Sequence, residues 1–593
     1  MCGIVGYAGI EPAVPIILDS LERLQYRGYD SAGFAVLGPD GELKFNRSVG
    51  PVANLRTAVH DATSFSFGIG HTRWATHGRP SLENTHPLVS CDGSIAVVHN
   101  GVIENYLELR SALEASGHHF VSETDSEVIP HLLEEAVRQG QRFSKAFQSL
   151  PSQIHGSFAI VAMVKGESKL YLTRRATPLV VGVSDKGYHP ASDIPSFLPY
   201  TSRVVYVKED DCLEVSREGI RRLSDPLGTG GKITPTEILP SEADLEELTK
   251  GNFDHFMIKE ISEQGAVLQR IVESSPPELE KLVLSIRAAK RVYLVGIGTS
   301  YNSALFLDRL AHLSGVDVFR AVVSSEIEQY ESHLGPGTVV LALSQSGETA
   351  DTLSAAKLAL KHGAELWGLL NAPRSSIGRI CQGVIPISCG PEQAVAATKS
   401  YTAQLSRLVQ ILEKYLYRDS EAERVLKDVA GMVFELTAES TRKSLQNVAV
   451  ELVDTQDVFM LGRGLQNVTA REAALKLKEV AGVRAEAFYM GEMKHGPLAL
   501  IHEGAVVVIF HGGKDKANAE VAASELHSRG ARVLSVGPTP VRAAKWHIRT
   551  ADAGVGLPLT QIVPIQVLSY ELASLRRMNP DFPKNLAKSV TVS

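Results

Sequence analysis

The chain has 593 residues, of which 44% are hydrophobic and 21% are charged. At roughly 150 residues per domain this length predicts about four domains, and the composition excludes a disordered, collagen-like or coiled-coil chain. With 60 basic and 67 acidic side chains the net charge is −7, so a surface for nucleic acid is not expected. The sequence has no basic leader and no apolar run of about 18 residues. We therefore expect a cytoplasmic protein with neither a signal peptide nor a membrane span.

The first half of the chain alternates short β-rich runs with helical patterns. The predicted strands are residues 2–7, 31–37, 94–103, 156–164, 169–175 and 203–215, and the predicted helices are residues 13–25 and 126–139. Mixed order and many β-branched strand residues are typical of layered α+β domains. We place this domain at 2–230 and, from the glycines and polar residues that follow, a linker at 231–245.

The second half repeats the order strand, hydroxyl-rich turn, helix. A strand at 291–296 leads through Gly298, Thr299 and Ser300 into a helix from about Asn302. A second strand, at 338–343, leads through a turn of Ser and Thr residues into a helix at 350–363. This alternation predicts a parallel α/β sheet.

An internal repeat divides the second half into two copies of one α/β unit. Residues Val292–Gly298 match Val458–Gly464, and Val339–Gly347 match Val506–Lys514. The turns differ, because the first copy has hydroxyls where the second has His511 and two glycines. We expect only the first copy to bind an anion. We place the two copies at 246–430 and 431–575, with a C-terminal tail at 576–593.

Cys2 is a candidate nucleophile. If the initiator Met is removed, the thiol lies beside its own α-amine, whose pKa of about 7.7–8.0 suits a general base. A buried, inert cysteine is the alternative. The five cysteines contain no Cys-x-x-Cys pair, which predicts neither a disulfide framework nor a zinc site.

Four further motifs accompany Cys2: Tyr26–Gly33, His71–Gly78, His99–Gly101 and Ser122–Glu127. Together they resemble the class II glutamine amidotransferases, the N-terminal-nucleophile glutaminases. The resemblance implies an α/β/β/α layered fold and glutamine hydrolysis at Cys2.

The resemblance also implies roles for particular residues. Asn100 and the Gly101 N–H would stabilise the oxyanion. Arg73 would bind the glutamine carboxylate and Asp125 its ammonium. The other glutamine-binding residues implied are Trp74, Thr76 and His77. Trp74 would also gate an ammonia passage, which must exclude water.

Two hydroxyl-rich turns at successive strands predict a phosphate site. Thr299 and Ser300 open one helix, and Ser344–Thr349 precede another, so hydroxyls and free N–H groups meet at helix N-termini. Neither turn is a Walker A or GxGxxG motif, which argues against a nucleotide. The turns resemble the sugar isomerase (SIS) fold of phosphosugar-binding proteins, and ordinary N-capping is the alternative.

The second copy and the residues after it contain charged side chains and a histidine as candidate catalytic residues. Glu472, Lys476 and Glu479 share one helix face, His495 precedes a Gly-Pro pair, and Lys588 lies near the C-terminus. Taken in this order, the modules of the whole chain resemble the family of glutamine–fructose-6-phosphate aminotransferases.

That resemblance implies an ordered set of steps. Lys588 would form a Schiff base with the open-chain ketose, and His495, from a neighbouring subunit of a homodimer, would open the ring. Glu479 would move the C1 proton, with Lys476 and Glu472 in support. The sugar-phosphate-binding residues implied are Thr299, Ser300, Ser344, Gln345, Ser346, Thr349, Val395 and Ala587. No metal or organic cofactor is implied.

Other functions stay open from the sequence. A related SIS aminotransferase or deglycase acting on another sugar phosphate is the main alternative, and a phosphosugar sensor without turnover is a further one. The sequence departs from the family pattern at Ile297, at Ala397 and at 481–484. Other glutamine amidotransferases, such as asparagine synthetase, share only the first half, so the SIS duplication argues against them.

Overall fold

The structure is a computed structural model that describes residues 2–57, 65–75, 77–223, 233, 237–238 and 249–588. It divides into two compact units. The first runs to Leu248 and is grouped with the residues from Ala587 onward, and the second is Thr249–Leu586. Most of the predicted linker, 231–245, lies outside the described residues.

In its described part, the first unit contains an eight-stranded and a six-stranded antiparallel sheet. The strands are β1 Gly3–Gly9, β2 Ser31–Leu37, β3 Leu43–Val49, β4 Phe67–Arg73, β5 Leu88–Val89, β6 Ile95–Ile103, β7 Gly156–Val164, β8 Leu170–Arg175, β9 Val180–Val183, β10 Gly187–Ala191, β11 Arg203–Tyr206, β12 Cys212–Ser216, β13 Gly219–Arg222 and β14 Glu237–Ile238. The helices are α1 Ala13–Arg23, α2 Val52–Thr57, α3 Tyr106–Ala115, α4 Val128–Arg138 and α5 Phe143–Gln153.

The two sheets pack face to face between layers of helices. The eight-stranded sheet has the order β14-β11-β9-β10-β1-β4-β2-β3, and the six-stranded sheet has the order β13-β12-β8-β7-β6-β5. Ile4 and Ile69 of the first sheet share one core with Val98 and Val161 of the second. The other face of the second sheet packs against α4 and α5, and α1 packs against β1 and β4. This is the predicted α/β/β/α order.

The predicted run 203–215 forms two strands that belong to different sheets. β11 lies in the eight-stranded sheet and β12 in the six-stranded sheet. The polar residues Lys208–Asp211 separate them, and Asp210 adopts a left-handed backbone with φ of 56°. A strand cannot continue through that conformation, so the chain crosses between the layers here.

The described part of the second unit contains two five-stranded parallel sheets. The first has β15 Arg291–Gly296, β16 Phe319–Val323, β17 Thr338–Ser344, β18 Glu365–Leu370 and β19 Gly383–Pro386, and the second has β20 Asp457–Gly462, β21 Arg484–Tyr489, β22 Val506–Phe510, β23 Arg532–Gly537 and β24 Trp546–Arg549. The helices are α6 Phe256–Ser262, α7 Gln264–Glu273, α8 Pro277–Ala288, α9 Thr299–Leu313, α10 Ala350–Lys361, α11 Ser376–Ile380, α12 Lys399–Tyr415, α13 Asp419–Leu436, α14 Glu439–Leu452, α15 Leu465–Ala481, α16 Lys516–His527 and α17 Leu557–Leu575.

The internal repeat is a structural repeat. The sheets have the orders β16-β15-β17-β18-β19 and β21-β20-β22-β23-β24, so the strands follow the same path. Gly298 and Gly464 have nearly the same backbone, with φ of 56° in both and ψ of −126° and −122°. Because this positive φ ends the turn at once, α9 begins at Thr299, three residues before the predicted start at Asn302.

A shared apolar core joins the two copies. Helix α15 packs against α17 and α9, and α17 is buried along nearly its whole length. None of the helices that the structure describes is long and apolar enough to span a membrane.

Candidate active sites

Cys2 lies immediately before β1, beside the end of β4. The register pairs Gly3 with Thr72, which places Cys2 opposite the residues that follow β4. The Trp74 N–H donates to the Cys2 Sγ at 3.3 Å, and the same sulfur lies 3.5 Å from the Trp74 carbonyl oxygen. The thiol is half-buried. The antiparallel pairing of β1 and β4 thus brings two sequence motifs together.

Asn100 is oriented towards Cys2 by a buried histidine. The Asn100 Nδ2 donates to the Cys2 carbonyl oxygen at 2.9 Å, while its Oδ1 lies 3.0 Å from the His71 Nε2. Burial lowers the pKa of His71 to about 3, so the ring is neutral. Its Nε2 faces two acceptors, Asn100 Oδ1 and the His99 carbonyl oxygen at 3.0 Å, and therefore carries the proton. This contact fixes which end of the Asn100 amide points at Cys2.

Gly101 cannot be replaced without strain. It has φ of +126°, and a Cβ at this position would lie 2.0 Å from the Ser157 carbonyl oxygen on β7. The residue next to Asn100 therefore presents an unhindered backbone, as an oxyanion donor needs.

Arg73 is a buried cation at the end of β4. Its guanidinium donates to the carbonyl oxygens of His77, of Gly78 at 2.9 Å and of Arg79 at 3.5 Å. Burial lowers the pKa of Arg73, and the neighbouring Cys2 and Asp125 oppose that shift. The arginine thus holds the 77–79 loop and supplies positive charge beside the thiol.

Asp125 is buried in the turn before α4. Its Oδ2 accepts from the Ile103 N–H at 2.7 Å, and its Oδ1 accepts from the Ser126 hydroxyl at 3.3 Å.

Of the other residues predicted to bind glutamine, His77 lies edge-on to the Tyr106 ring, with centroids 5.6 Å apart. Thr76 lies outside the residues that the structure describes.

Two residues that were not predicted as site residues contact Cys2 or its neighbours. Arg27 donates from Nε to the Cys2 carbonyl oxygen at 3.2 Å and pairs through Nη1 with Asp193 at 3.0 Å. Asp30 accepts from the Ala75 N–H at 2.8 Å. Both lie within the Tyr26–Gly33 motif, which was the available signal.

In the second unit, Lys476 lies between two carboxylates on α15. Its Nζ is 2.5 Å from Glu479 Oε2 and 3.4 Å from Glu472 Oε1. Burial raises the pKa of Glu472. Burial opposes the charge on Lys476, but Glu479 and Glu472 outweigh it, so the pKa of Lys476 is also raised. The predicted helix face is therefore a buried ion cluster.

The start of α9 completes this cluster. Thr299 Oγ1 donates to Glu472 Oε1 at 3.0 Å, and Asn302 Nδ2 donates to Glu472 Oε2 at 2.7 Å. Lys476 Nζ donates to the Thr299 hydroxyl at 3.3 Å. Both oxygens of the buried carboxylate are thus satisfied, while Glu479 stays 22% exposed and accessible. Asn302 was not predicted as a site residue.

The two hydroxyl-rich turns follow neighbouring strands. β15 pairs in parallel with β17, so the turns at Thr299–Ser300 and at Ser344–Thr349 leave the same sheet edge. The Ser344 Oγ accepts from the Gly347 N–H at 2.9 Å and lies 3.3 Å from the Thr349 Oγ1. The remaining members of the predicted phosphate set, Gln345 and Ser346, belong to the second turn.

An unpredicted contact orients the first turn. Gln404 on α12 donates from its Nε2 to the Ser300 hydroxyl at 3.1 Å. In the second copy, His511 follows β22, the strand equivalent to β17; the histidine is fully buried, and burial lowers its pKa. A neutral histidine and two glycines thus replace the hydroxyls there.

The tail is tied to the second unit at Asp581. Its carboxylate accepts from the N–H groups of Phe256 at 2.9 Å and Met257 at 2.8 Å, and its carbonyl oxygen accepts from the Val395 N–H at 2.9 Å. This anchors the segment near Val395, a predicted sugar-site residue.

Three residues predicted to act with the Lys476 cluster on the sugar phosphate are Ala587, Lys588 and His495. Ala587 and Lys588 are half-buried and are grouped with the first unit. His495 is exposed after a short turn, and its N–H donates to the Glu492 carbonyl oxygen at 2.9 Å. Within the described part of the chain, no hydrogen bond or ion pair connects His495 with that cluster. Their roles stay predictions.

Comparison with known proteins agrees with both units. The glutamine amidotransferase domain family matches residues 71–199, and the SIS domain family matches residues 285–414 and 451–575. The chain is 38% identical over 608 residues to the glutamine–fructose-6-phosphate aminotransferase (isomerizing) of Pyrococcus horikoshii. It is 39% identical over 616 residues to the protein of that name from Thermus thermophilus. Both alignments cover 100% of this chain and 100% of the relative.

A solved structure is also similar. The C-terminal domain of glucosamine-fructose-6-phosphate aminotransferase from Francisella tularensis matches with 25% identity and a TM-score of 0.52, covering 56% of this chain and 100% of that one. The two SIS matches fall on the two parallel sheets, and the amidotransferase match falls on the antiparallel unit. The predicted fold class is therefore confirmed, and the chain belongs to the glutamine–fructose-6-phosphate aminotransferase (isomerizing) family.

Proposed function

We propose that the chain transfers the amide nitrogen of glutamine to fructose 6-phosphate and isomerises the product to glucosamine 6-phosphate, releasing glutamate. The observation that carries this proposal is the Lys476 cluster, in which a buried cation holds the accessible carboxylate of Glu479. A sensor that only binds sugar phosphate needs no such base. Full-length similarity to relatives of that name supports the same reaction.

The first half-reaction uses the Cys2 thiol. Its sulfur attacks the glutamine carboxamide, ammonia leaves, and water then releases glutamate from the thioester. Asn100 and the Gly101 N–H stabilise the oxyanion formed in the attack. Arg73 binds the α-carboxylate and Asp125 the α-ammonium. Trp74, Thr76 and His77 complete the glutamine site.

The second half-reaction takes place on the sugar phosphate. The phosphate is bound by the turns at Thr299–Ser300 and Ser344–Thr349, with Val395 and Ala587 contacting the sugar. His495 from a second subunit opens the ring, and Lys588 forms a Schiff base with the ketose, releasing water. Ammonia then adds to that carbon and displaces the Lys588 amine, so the sugar carries the new nitrogen and the lysine is free again. Glu479 then moves the proton from C1 to the neighbouring carbon. Lys476 and Glu472 hold that carboxylate in place.

Several further properties belong to the same proposal. Ammonia passes from one site to the other through a channel gated by Trp74, because protonation in water would remove its nucleophilic lone pair. The enzyme works in the cytoplasm as a homodimer, and the assigned role of His495 requires the second subunit. The domain boundaries are 2–230, 246–430 and 431–575, followed by the tail at 576–593. None of these steps uses a metal or an organic cofactor.

The test incubates purified full-length protein with glutamine and fructose 6-phosphate and measures products by mass spectrometry. Hexosamine phosphate and glutamate are expected in equal amounts. Amide-labelled [15N]glutamine should transfer its label to the sugar. Release of glutamate without hexosamine phosphate would contradict the proposal. Amination of a different ketose phosphate in parallel reactions, and not of fructose 6-phosphate, would favour a related SIS aminotransferase instead.

A further inference from the structure

Four potential metal ligands outside the Cys2 site converge in the first unit. Cys91 lies in the turn between β5 and β6, His118 follows α3, and His131 and Glu134 lie one turn apart on α4. One ligand atom from each lies within 4.8 Å of the others. His118, His131 and Glu134 are almost fully buried, whereas Cys91 is exposed at the edge of the group.

Four of the distances between these atoms are close to those in a tetrahedral coordination shell. Cys91 Sγ lies 3.7 Å from His118 Nδ1 and 3.6 Å from His131 Nδ1. Glu134 Oε2 lies 3.0 Å from His118 Nδ1 and 3.3 Å from His131 Nδ1. With usual zinc bond lengths, a tetrahedron separates sulfur from nitrogen by about 3.6 Å and nitrogen from oxygen by about 3.3 Å.

We propose that Cys91, His118, His131 and Glu134 bind one zinc ion in a structural site. One thiolate, two imidazoles and one carboxylate suit zinc in both ligand type and geometry. The charges of the thiolate and the carboxylate balance the charge of the metal, and binding releases the Cys91 thiol proton. Four protein ligands close the shell, so no position is left for substrate.

The groups behind the ligands support this assignment. Both histidines point Nδ1 into the cluster, and their other nitrogens face carboxylates: His118 Nε2 is 3.1 Å from Glu135, and His131 Nε2 is 3.5 Å from Glu127. Such carboxylate–histidine pairs orient metal-binding imidazoles. The ligand Glu134 is itself held, because its Oε1 accepts from Arg138 at 2.9 Å.

The Cys91 sulfur accepts a backbone hydrogen bond. The His119 N–H donates to the Cys91 Sγ at 3.3 Å and opposes the rise in the pKa of the thiol that burial causes. A second hydrogen bond holds the backbone of Cys91 in the cluster, because its N–H donates to Glu134 Oε2 at 3.0 Å.

The site would fix elements that carry the glutaminase residues. The turn containing Cys91 leads directly into β6, which carries Asn100, and α4 follows the turn that carries Asp125. Zinc would therefore tie the oxyanion strand to the ammonium-binding turn without touching either side chain. Cysteine spacing alone could not predict this site, but the His-x-x-Glu pair on α4 was a signal.

The test measures zinc in the untagged full-length protein by elemental mass spectrometry after gel filtration. We expect about one zinc ion per chain in the wild type and in the control Cys381→Ala, whose half-buried thiol lies outside the cluster. Cys91→Ala should retain at least tenfold less zinc, and Glu134→Gln should also lose it. Cys91 is exposed, so its substitution is not expected to prevent folding.

Two further readouts start from the folded wild-type protein. Chelation should lower the melting temperature of the zinc-containing protein, and added zinc should restore it. Cobalt substituted for zinc should give a sulfur-to-cobalt charge-transfer band, which Cys91→Ala abolishes. A wild-type chain that takes up no stoichiometric zinc, or equal zinc content in wild type and Cys91→Ala, would overturn the proposal.

Discussion

Lys476 Nζ lies 2.5 Å from Glu479 Oε2, and the ammonium is fully buried while the carboxylate is 22% exposed. Lys476→Met removes the cation from between two carboxylates. The free energy of unfolding should fall by about 3–5 kcal/mol, because an uncompensated buried charge remains at Glu472. Isomerisation of sugar phosphate should fall by about 10²-fold or more, since Glu479 loses its partner. Thermal unfolding and an isomerisation assay measure the two effects.

The matched control is Lys478→Met on the same helix. Lys478 is exposed, so this variant should keep both stability and isomerisation close to wild type. Equal losses in the two variants would show that charge on α15 matters in general and would remove the special role of Lys476.

Cys2→Ala should abolish glutamine hydrolysis, because the variant has no nucleophile for the carboxamide. Isomerisation of the sugar phosphate should continue, since the Lys476 cluster belongs to the second unit. Glutamate release and ketose–aldose conversion are measured on the same sample. Cys381→Ala serves as the control and should keep both activities. Loss of isomerisation in Cys2→Ala would contradict two chemically separate sites.

Asn100→Ala should lower kcat for glutamine hydrolysis by about 10²–10³-fold, the usual effect of removing one oxyanion donor. KM should change little, because Asn100 is assigned to the transition state and Arg73 and Asp125 to the substrate. Steady-state glutaminase kinetics separate the two constants. Asn105→Ala removes an amide just after the same strand, one that donates to Gln153, and should leave kcat unchanged. A rise in KM with unchanged kcat would indicate that Asn100 binds the substrate and does not stabilise the oxyanion.

Much of this fold followed from local patterns. Alternation and β-branched runs located strands such as β2 and β7, and the repeat predicted two copies of one α/β unit, because both can be read from the sequence itself. The run 203–215 showed the limit of this reasoning. It was predicted as one continuous strand, and the membership of its two strands in different sheets depends on packing that a local pattern does not contain.

The candidate site residues also divide into those that a local pattern predicts and those that it does not. Lys476, Glu472 and Glu479 could be grouped because helical periodicity places them on one face. Asn302 and His71 could not, since their contacts to Glu472 and Asn100 arise only when distant elements pack together. The ligand cluster around Cys91 was missed for that reason too, as its members come from three separate elements.

Stability should decrease in mild acid because of buried neutral histidines. Burial lowers the pKa of His189 from 6.5 to about 4. Below about pH 6.5 the unfolded chain binds a proton that the folded chain excludes, so stability is lost as the pH falls towards about 4. For His189 alone the loss is about 2 kcal/mol at about pH 5.

His189→Gln should therefore flatten the dependence of melting temperature on pH. The variant is compared with wild type at about pH 7.5 and about pH 5, and His527→Gln, which changes an exposed histidine, is the control. Parallel curves for wild type and His189→Gln would show that His189 is not the group that titrates.

Asp581→Ala tests whether the tail must be anchored for amination. The variant removes an acceptor from two N–H groups at the start of α6, which costs about 1–2 kcal/mol. Amination should fall much more than glutamine hydrolysis, because Lys588 follows the anchor by seven residues. Asp457→Ala, which breaks a surface ion pair with Arg484, should leave both activities unchanged. Product assays on the three proteins decide the matter: equal losses of amination and hydrolysis in Asp581→Ala would show general destabilisation instead of a displaced lysine.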